Sequence, residues 1–339
     1  MDTLQFVPIM VTGFALALGM TPLSRAIAMR LGVVAIPSGR NIHKDFKPMM
    51  GGMAIYVAFA LALLLFSPPQ HLAEFGAIIG SATFLALVGL IDDRFDLGIK
   101  TKLVAQSLAG VVLILADIHI SLFRLPLLDY GLTIFWILAI TNAVNFLDNM
   151  DGLAAGLATI AAGFFMLISF TEGLPVVSAL AAALMGSAVG FLIYNFNPAS
   201  SFMGDMGSLV LGFVLATLGI KLEFGSQPPG VTWMVPILIL ALPLFDITLV
   251  VLTRIMEGRS PGQGGKDHSS HRLMSIGLSQ RWTLFVLYGA CLFFGMVAFA
   301  VSVETPERAL VIGLAGLALL GLLFISMMIV RRRFQLRST

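Results

Sequence analysis

The chain has 339 residues, of which 58% are apolar and only 11% are charged. These fractions and a mean hydropathy of +0.98 exclude an ordinary soluble domain, in which about a quarter of the residues are charged. The formal net charge is +2, and no basic arm or alternation of basic and aromatic residues indicates nucleic acid as a partner. The composition therefore predicts a polytopic membrane protein.

Apolar windows recur along the whole chain at a length that can cross a bilayer, which takes about 20 residues of helix. They predict an all-α fold with eleven transmembrane helices and one integral-membrane domain over residues 1–339. The windows are 4–23, 51–66, 73–91, 103–116, 132–145, 152–170, 176–194, 207–222, 232–253, 283–302 and 309–330.

Lysine and arginine predict the orientation of these helices. If the amino terminus lies outside, alternate gaps and the carboxyl-terminal tail hold all of the twenty basic residues except Arg124, Lys221 and Arg308. This bias is the one that the positive-inside rule expects, and it places the carboxyl terminus in the cytoplasm. The inner gaps, which also hold the polar motifs, are 24–50, 92–102, 146–151, 195–206 and 254–282.

Three carboxylates stand at the predicted inner end of the third helix. Asp92, Asp93 and Asp96 are spaced to share a helical face. Unit charges about 5 Å apart repel each other by roughly 3 kcal/mol at an effective dielectric of 20. The cluster therefore favours a bound cation, whereas a solvated turn with Arg94 as counter-ion is the alternative.

A second polar group follows the fifth window. Asn145, Asp148 and Asp151 recur every three residues, so one continued helical turn would present them as a stripe at the membrane edge. Gly152 would let the backbone turn there. Helix capping explains one or two of these side chains. Polar residues beside a membrane segment are costly unless they are paired or functional.

The eighth window opens with a carboxylate between glycines. Asp205 stands between Gly204 and Gly207, and the N–H groups of a helix start favour phosphate. This pattern predicts a phosphate at the helix start with Asp205 on a metal ion. An ordinary N-cap role for Asp205 is the alternative.

The last inner gap combines flexible glycines with Lys266, His268, His271 and Arg272. The two histidines lack a third soft ligand nearby, so donation to substrate phosphate or sugar is favoured over zinc. Loose loop histidines are the alternative. Two hypotheses apply to Asp246 in the ninth window: it pairs with a cation of an inner loop, or it lines a groove for a lipid.

Taken together, these segments resemble the polyprenyl-phosphate N-acetylhexosamine-1-phosphate transferases, the family of WecA, TagO and MraY, over nearly the whole chain. The three-histidine sequence typical of MraY is absent, which favours UDP-GlcNAc over a muramoyl-pentapeptide donor. Lys266 and Ser270 depart from the WecA pattern. The matching segments are Arg40–Lys44 with Gly51–Gly52, Asp92–Asp93, Asn145–Leu153, Tyr194–Leu209 and His268–Leu273.

The resemblance implies a bacterial cytoplasmic-membrane enzyme with its active site on the cytoplasmic face. The phosphate of undecaprenyl or another polyprenyl phosphate would attack the β-phosphorus of a UDP-N-acetylhexosamine and release UMP. The lipid-linked product would serve synthesis of a cell-envelope polysaccharide such as O-antigen or teichoic acid. A homodimer through helices without motif residues is a further option.

The resemblance also implies roles for individual residues. Asp92 would be base or nucleophile with Asp93 as its partner, and Asn195 and Phe202 would lie around the uracil. Lys44 and Lys47 are candidates for the diphosphate. The expected set is Asp92, Asp93, His268 and His271 in catalysis; His43, Lys44, Lys47, Asn145, Asp148, Asp151, Asn195, Phe202, Lys266 and Arg272 in substrate binding; and Asp205, Asp92 and Asp93 around Mg²⁺, or Mn²⁺ in its place.

Three other classes of protein remain open from the sequence. An intramembrane aromatic prenyltransferase of the UbiA type also uses paired aspartate motifs, but it needs neither the uracil-side residues nor a histidine loop. An ion-coupled transporter would place charges near the bilayer midplane and contain repeats. A non-catalytic lipid-phosphate-binding protein would keep the carboxylates without releasing UMP.

Overall fold

The computed structural model describes residues 6–35, 47–66, 71–225, 228–262 and 264–338, with side chains up to residue 330. The described residues form helices joined by short turns, with one antiparallel pair of two-residue strands, β1 and β2. They divide into two compact units, residues 1–223 and 224–339.

The first unit contains eight helices and the strand pair among its described residues. Several helices begin with proline, whose missing N–H has no partner to lose in a first turn. In order, the elements are α1 (Val7–Leu31), β1 (Val34–Ala35), β2 (Lys47–Pro48), α2 (Gly51–Phe66), α3 (Leu72–Phe95), α4 (Ile99–Leu115), α5 (Pro126–Leu147), α6 (Leu153–Thr171), α7 (Pro175–Asn195) and α8 (Gly204–Lys221).

Helix α8 is the centre of the first unit. It packs against α2, α3, α5, α6 and α7, and fifteen of its eighteen residues are buried. Glycines allow the backbones to approach: a Cβ on Gly52 would lie 2.1 Å from the nitrogen of Gly207, and one on Gly89 would lie 2.5 Å from the Cα of Met206. The start of α8 is therefore held directly against α2 and α3.

The second unit contains α9 (Pro229–Thr232), α10 (Met234–Ile239), α11 (Ala241–Met256), α12 (Ser269–Ser275), α13 (Gln280–Val303) and α14 (Pro306–Ser338). Helix α13 packs against α10, α11, α12 and α14. The short helix α12 lies inside the predicted inner gap 254–282 and was not predicted.

The expectation of an all-α polytopic membrane protein is confirmed. Each predicted window overlaps helix, and eight helices of the described chain are long and apolar enough to cross a membrane. Helix α2, with 16 residues, is shorter than the predicted span length. The count of eleven crossings and their sidedness stay predictions.

The ninth window, 232–253, is not the single helix that was predicted. It is broken between Ile239 and Ala241, where the two parts meet at 75°. A proline ring clashes with the carbonyl four residues earlier and removes a hydrogen bond to it. Pro243 and Pro236 stand four residues after Ile239 and Thr232, the last residues of α10 and α9, so the two prolines account for both interruptions.

The predicted inner gap 92–102 is much shorter in the structure. Helix α3 continues to Phe95 and α4 begins at Ile99, which leaves residues 96–98 as the turn. Asp96 adopts the left-handed conformation that ends α3 (φ 53°) and is exposed. The prediction that Asp96 shares a face with Asp92 and Asp93 is therefore wrong, because the helix ends before it.

The contact between α3 and α8 predicts that the stability cost of replacing a glycine in α3 depends strongly on which glycine is replaced. Gly89→Ala places a methyl group against the backbone of Met206, and overpacking of this kind typically costs 1–3 kcal/mol. We expect a lower midpoint of thermal unfolding in detergent. Gly80→Ala, in the same helix, meets no atom within 4 Å and should not lower the midpoint. Equal midpoints for the two variants would contradict this account of the packing.

Candidate active site

Asp93 joins α3 to the start of α8. Its Oδ1 accepts a hydrogen bond from the backbone N–H of Asp205 at 2.8 Å, and its Oδ2 accepts one from that of Met206 at 3.2 Å. Gly204 precedes them with φ +71°, and a Cβ there would lie 2.4 Å from Asp93 Oδ2. Asp93 is thus a helix cap supplied by another helix.

This cap corrects one prediction. The backbone N–H groups of Asp205 and Met206 were expected to hold substrate phosphate, but they already donate to Asp93. A carboxylate takes the place of the anion that the helix start was predicted to attract. The role of Asp93 in catalysis or metal binding stays a prediction, and its observed role is to fix α8 against α3.

Asp92 and Asp205 share one lysine that was not predicted as a site residue. Lys102, in the first turn of α4, places its Nζ 2.8 Å from Asp92 Oδ2 and 2.9 Å from Asp205 Oδ2. Asp92 Oδ1 also accepts the N–H of Leu97 at 2.6 Å. Two carboxylates and one ammonium group from three helices therefore form the charged centre of the first unit.

Asn145 holds the other side of Asp205. Its Nδ2 donates to Asp205 Oδ1 at 3.0 Å and to the hydroxyl oxygen of Ser208 at 2.9 Å. Both oxygens of Asp205 therefore have protein donors, one from α4 and one from α5. This geometry fixes the orientation of the carboxylate, as a preorganised site requires.

The predicted polar stripe of Asn145, Asp148 and Asp151 does not exist as one helical face. Helix α5 ends at Leu147, and Gly152 takes the left-handed conformation (φ 78°) before α6 begins. Asp151 accepts hydrogen bonds from Asn197 Nδ2 at 3.1 Å and from the N–H of Ala199 at 2.9 Å. The stripe prediction is wrong because the chain leaves the helix between these residues.

Asp148 lies in the turn after α5, near two other carboxylates. Burial, and after it the negative charges of Asp205 and Asp151, raise the pKa of Asp148 to about 7. A cation bound close to these carboxylates would favour the ionised form of Asp148. Its predicted contact with nucleotide stays a prediction.

The loop between α7 and α8 is tied to its surroundings by residues that were predicted to bind substrate. Asn195 Oδ1 accepts the N–H of Gly152, and its Nδ2 donates to the carbonyl of Ser201, both at 3.0 Å. The backbone of Phe202 bonds to Pro48 and Gly51. Both ends of the Asn195 amide thus hold the loop, and contact of Asn195 and Phe202 with uracil stays a prediction.

Lys47, predicted to bind the diphosphate, lies on β2. Its Nζ donates to the carbonyl of Ala199 at 2.9 Å, so it also contacts the loop between α7 and α8. The other two candidates of this gap, His43 and Lys44, lie outside the described residues.

In the second unit, His268 is bound to Asp246. The Nδ1 of His268 lies 2.7 Å from Asp246 Oδ2, while Asp246 Oδ1 accepts bonds from the N–H and hydroxyl of Ser269 at 2.7 and 2.6 Å. Both Asp246 and His268 are buried. Asp246 therefore contacts His268 of the last inner gap, while its pairing with a cation stays a prediction, and the alternative of a loose histidine is wrong for His268.

Arginines anchor the same loop. Asp267 accepts bonds from Arg254 Nε at 3.0 Å and from Arg259 at 2.8 Å. Arg272 is buried and donates to Thr253 Oγ1 at 2.7 Å and to the carbonyls of Asp267 and Met327. The substrate contact predicted for Arg272 stays a prediction, because the observed bonds serve the loop. The other predicted cation, Lys266, is exposed.

His271 lies one helical turn from His268, with ring centroids 5.8 Å apart. Burial, and after it the neighbouring His268 and Lys266, lower the pKa of His271 to about 4. His271 is therefore neutral near pH 7. It cannot serve there as a cationic donor, although a neutral ring still carries one N–H.

The carboxylates of the first unit fit Mg²⁺ as part of its ligand set, with the remaining ligands from substrate and water. No group of three or more histidine, cysteine, aspartate or glutamate side chains is arranged around a metal position in the described parts of the chain. Asp92 and Asp205 nevertheless present two oxygens to one positive charge, that of Lys102. Mg²⁺ is commonly held by one or two carboxylates together with substrate phosphates and water. Asp92 and Asp205 would suit such an ion, whereas both oxygens of Asp93 accept backbone N–H groups.

The fold is that of an integral-membrane protein, and comparison with known proteins places the charged centre in a transferase family. Residues 75–223 match the family model described as glycosyl transferase family 4. The matched residues include Asp92, Lys102, Asn145 and Asp205, so the charged centre lies within them.

Relatives match most of the chain. The "Probable undecaprenyl-phosphate N-acetylglucosaminyl 1-phosphate transferase" of Bacillus subtilis is 33% identical over 294 residues, 84% of this chain and 82% of the relative. The decaprenyl-phosphate N-acetylglucosaminephosphotransferase of Mycolicibacterium smegmatis is 31% identical over 338 residues, 86% of this chain and 81% of the relative. The undecaprenyl-phosphate alpha-N-acetylglucosaminyl 1-phosphate transferase of Escherichia coli K12 is 26% identical over 274 residues, 76% and 73% of the two chains.

The chain therefore belongs to glycosyl transferase family 4, the polyprenyl-phosphate N-acetylhexosamine-1-phosphate transferases. The resemblance found in the sequence is confirmed. Family membership argues against the prenyltransferase, transporter and non-catalytic alternatives.

The buried neutral His271 predicts a specific dependence of stability on pH. Its pKa is lowered from an ordinary value of 6.5 to about 4 in the folded protein. The unfolded chain therefore binds the proton first on acidification, and stability falls between about pH 6.5 and pH 4. We expect His271→Gln to reduce this fall by on the order of 2 kcal/mol. The measurement is the unfolding midpoint of both proteins between pH 4 and 8, and identical slopes would contradict a neutral His271.

Proposed function

We propose that the protein transfers N-acetylglucosamine 1-phosphate from UDP-N-acetylglucosamine to undecaprenyl or another polyprenyl phosphate. The observation that carries this proposal is the shared position of Lys102 between Asp92 and Asp205, inside the residues that match the family. The names of the Bacillus and Mycolicibacterium relatives, which specify undecaprenyl and decaprenyl phosphate, support the acceptor class.

The reaction exchanges one phosphorus–oxygen bond for another. An oxygen of the acceptor phosphate forms a bond to the β-phosphorus of the donor, and the bond from that phosphorus to the bridging oxygen breaks. UMP leaves with the bridging oxygen, and the sugar remains on a lipid diphosphate. A phosphate monoester is largely a dianion near pH 7, because its second pKa is about 6. The attack therefore needs no removal of a proton.

Because no proton has to be removed, the protein contributes to this reaction mainly by electrostatic stabilisation. Four negative charges of donor and acceptor must approach each other, and phosphoryl transfer depends chiefly on alignment and charge neutralisation. A Mg²⁺ held by Asp92 and Asp205 supplies part of that neutralisation when it is bound. Lys102 adds one positive charge from α4, since its ammonium group can donate to a phosphate oxygen in place of a carboxylate. Asn145 keeps Asp205 in orientation throughout.

The test is UMP release by purified protein with Mg²⁺, undecaprenyl phosphate and UDP-GlcNAc. We expect Lys102→Met to lower kcat by about 100-fold or more, because a preorganised charge at the reacting phosphates is lost. Asp205→Ala and Asp92→Asn should abolish turnover. Lys100→Met is the matched control, since Lys100 is an exposed lysine in the same helical turn, and it should stay within about 2-fold of wild type.

The amounts of each variant in the membrane and its unfolding midpoint separate loss of chemistry from loss of folding. Full activity in Lys102→Met or Asp205→Ala would reject the assignment. The same assay with UDP-GlcNAc, UDP-GalNAc and UDP-muramoyl-pentapeptide determines the sugar donor, for which we expect UDP-GlcNAc.

We further propose that the carboxylates face the cytoplasm of a bacterial cell, where nucleotide sugars are made. The turn at Asp96 and the residue Asp117, whose side chain is 95% exposed, lie at opposite ends of α4. In a Cys291→Ser background, we expect a membrane-impermeant maleimide to label Asp117→Cys in intact cells. Asp96→Cys should react only after the cells are opened. Labelling of Asp96→Cys from outside would place the site on the wrong face.

A further inference from the structure

A pair of amide side chains joins α4 to α5. Asn142 Nδ2 donates to Gln106 Oε1 at 2.6 Å, and Gln106 Nε2 donates to Asn142 Oδ1 at 3.4 Å. Gln106 is fully buried. Hydrogen bonds between membrane helices contribute little to stability on average, because the polar groups also find partners before the helices pack. Stability alone therefore does not explain why amides rather than apolar side chains meet at this place.

The amide pair lies one helical turn from the charged centre on both helices. Gln106 follows Lys102 by four residues in α4, and Asn142 precedes Asn145 by three residues in α5. Residues with these spacings are neighbours on one face of a helix. Lys102 and Asn145 both bond to Asp205, at 2.9 and 3.0 Å. The amide pair therefore joins the same two helices that hold the carboxylate of Asp205.

Helix α5 is bound directly to α8. Asn145 donates to the hydroxyl oxygen of Ser208 at 2.9 Å, and Trp136 Nε1 donates to the carbonyl of Ala216 at 3.0 Å. These two bonds lie several turns apart and involve no residue of α4. Helix α5 therefore has a fixed place on α8, against which α4 can be positioned.

The contact between α4 and α5 changes in character one turn beyond Gln106. There Gly110 faces the apolar side chain of Ile134, whose Cδ1 would lie 2.6 Å from a Cβ on the glycine. An apolar contact has no preferred direction, whereas two reciprocal amide bonds require aligned donors and acceptors. The bonds between Gln106 and Asn142 therefore fix both the height and the rotation of α4 against α5.

On the basis of the proposed function, we propose that Gln106 and Asn142 are positioning residues for Lys102. The contacts lead from α8 to α5, through the two amides to α4, and along one turn of α4 to the ammonium group. A shift by one residue along a helix moves a side chain by about 1.5 Å and turns it by about 100°. The amide pair keeps Nζ of Lys102 at the reacting phosphates, and neither amide touches a substrate.

Apolar side chains of similar size provide the first test. In Gln106→Met, in Asn142→Leu and in the double variant, we expect kcat for UMP release to fall about 10-fold or more, because a misplacement of about 1 Å is enough for such a loss. The double variant should be no slower than the slower single variant, since the two amides act as one unit. It leaves neither amide behind, so its unfolding midpoint should stay close to that of wild type, and it carries the test even if a single variant does not accumulate. A double variant with the kcat of wild type would overturn the proposal.

A double-mutant cycle determines whether Gln106 acts through Lys102. In Lys102→Met no ammonium group is left to position, so the addition of Gln106→Met should change the remaining kcat by less than about 2-fold. A residue that only supports the fold would lower kcat by the same factor whether or not Lys102 is present. Equal factors in the two backgrounds would therefore reject the positioning role.

The matched control removes another polar contact between two helices. Ser169 and Ser178 are buried, and their hydroxyl oxygens lie 2.8 Å apart between α6 and α7. Replacement of both serines by alanine should keep kcat within about 2-fold of wild type. A loss as large as that of the amide variants would mean that any polar contact between helices has this effect, and it would also overturn the proposal. Wild-type protein that releases no UMP rejects the proposed function, whereas active wild type with an equally active amide double variant rejects only this inference.

Discussion

The close approach of α3 and α8 is the constraint on which the charged centre depends. Gly89 lets the two backbones meet beside Met206, and only at that distance can the side chain of Asp93 reach the first N–H groups of α8. The cap in turn fixes the direction in which Asp205 leaves α8. A packing contact between two apolar helices thus determines the position of a polar group at their ends.

The charged centre keeps a net negative charge, so it can accept more positive charge. Asp92 and Asp205 bring two negative charges, and Lys102 supplies one positive charge. A half-neutralised pair of carboxylates would suit a divalent cation that arrives with a diphosphate, because substrate oxygens could supply the ligands that two carboxylates do not. Asn145 provides the neutral donor that holds Asp205 whether or not the cation is present.

The sequence predicted the helices and most of the charged residues, but not their partners. Hydrophobic length alone indicated where the long apolar helices lie, since a bilayer requires such length. The stripe from Asn145 to Asp151 failed because the period of three holds only while the helix continues, and the chain turns after Leu147. Lys102 was overlooked because a lysine at a helix end also serves as a membrane anchor, and its two partners are 10 and 103 residues away in sequence. Only tertiary structure distinguishes these two roles.

Adjacent aspartates on a helix point about 100° apart, so Asp92 and Asp93 must address different neighbours. Asp92 faces α4 and binds Lys102, whereas Asp93 faces α8 and binds its backbone. The two side chains therefore hold different groups in this structure. Loss of activity on substitution of Asp93 would report the position of α8, and with it that of Asp205, while the same loss at Asp92 would report the charge that meets the substrate. Under the proposed function, the two neighbouring carboxylates would act on one reaction by different physical routes.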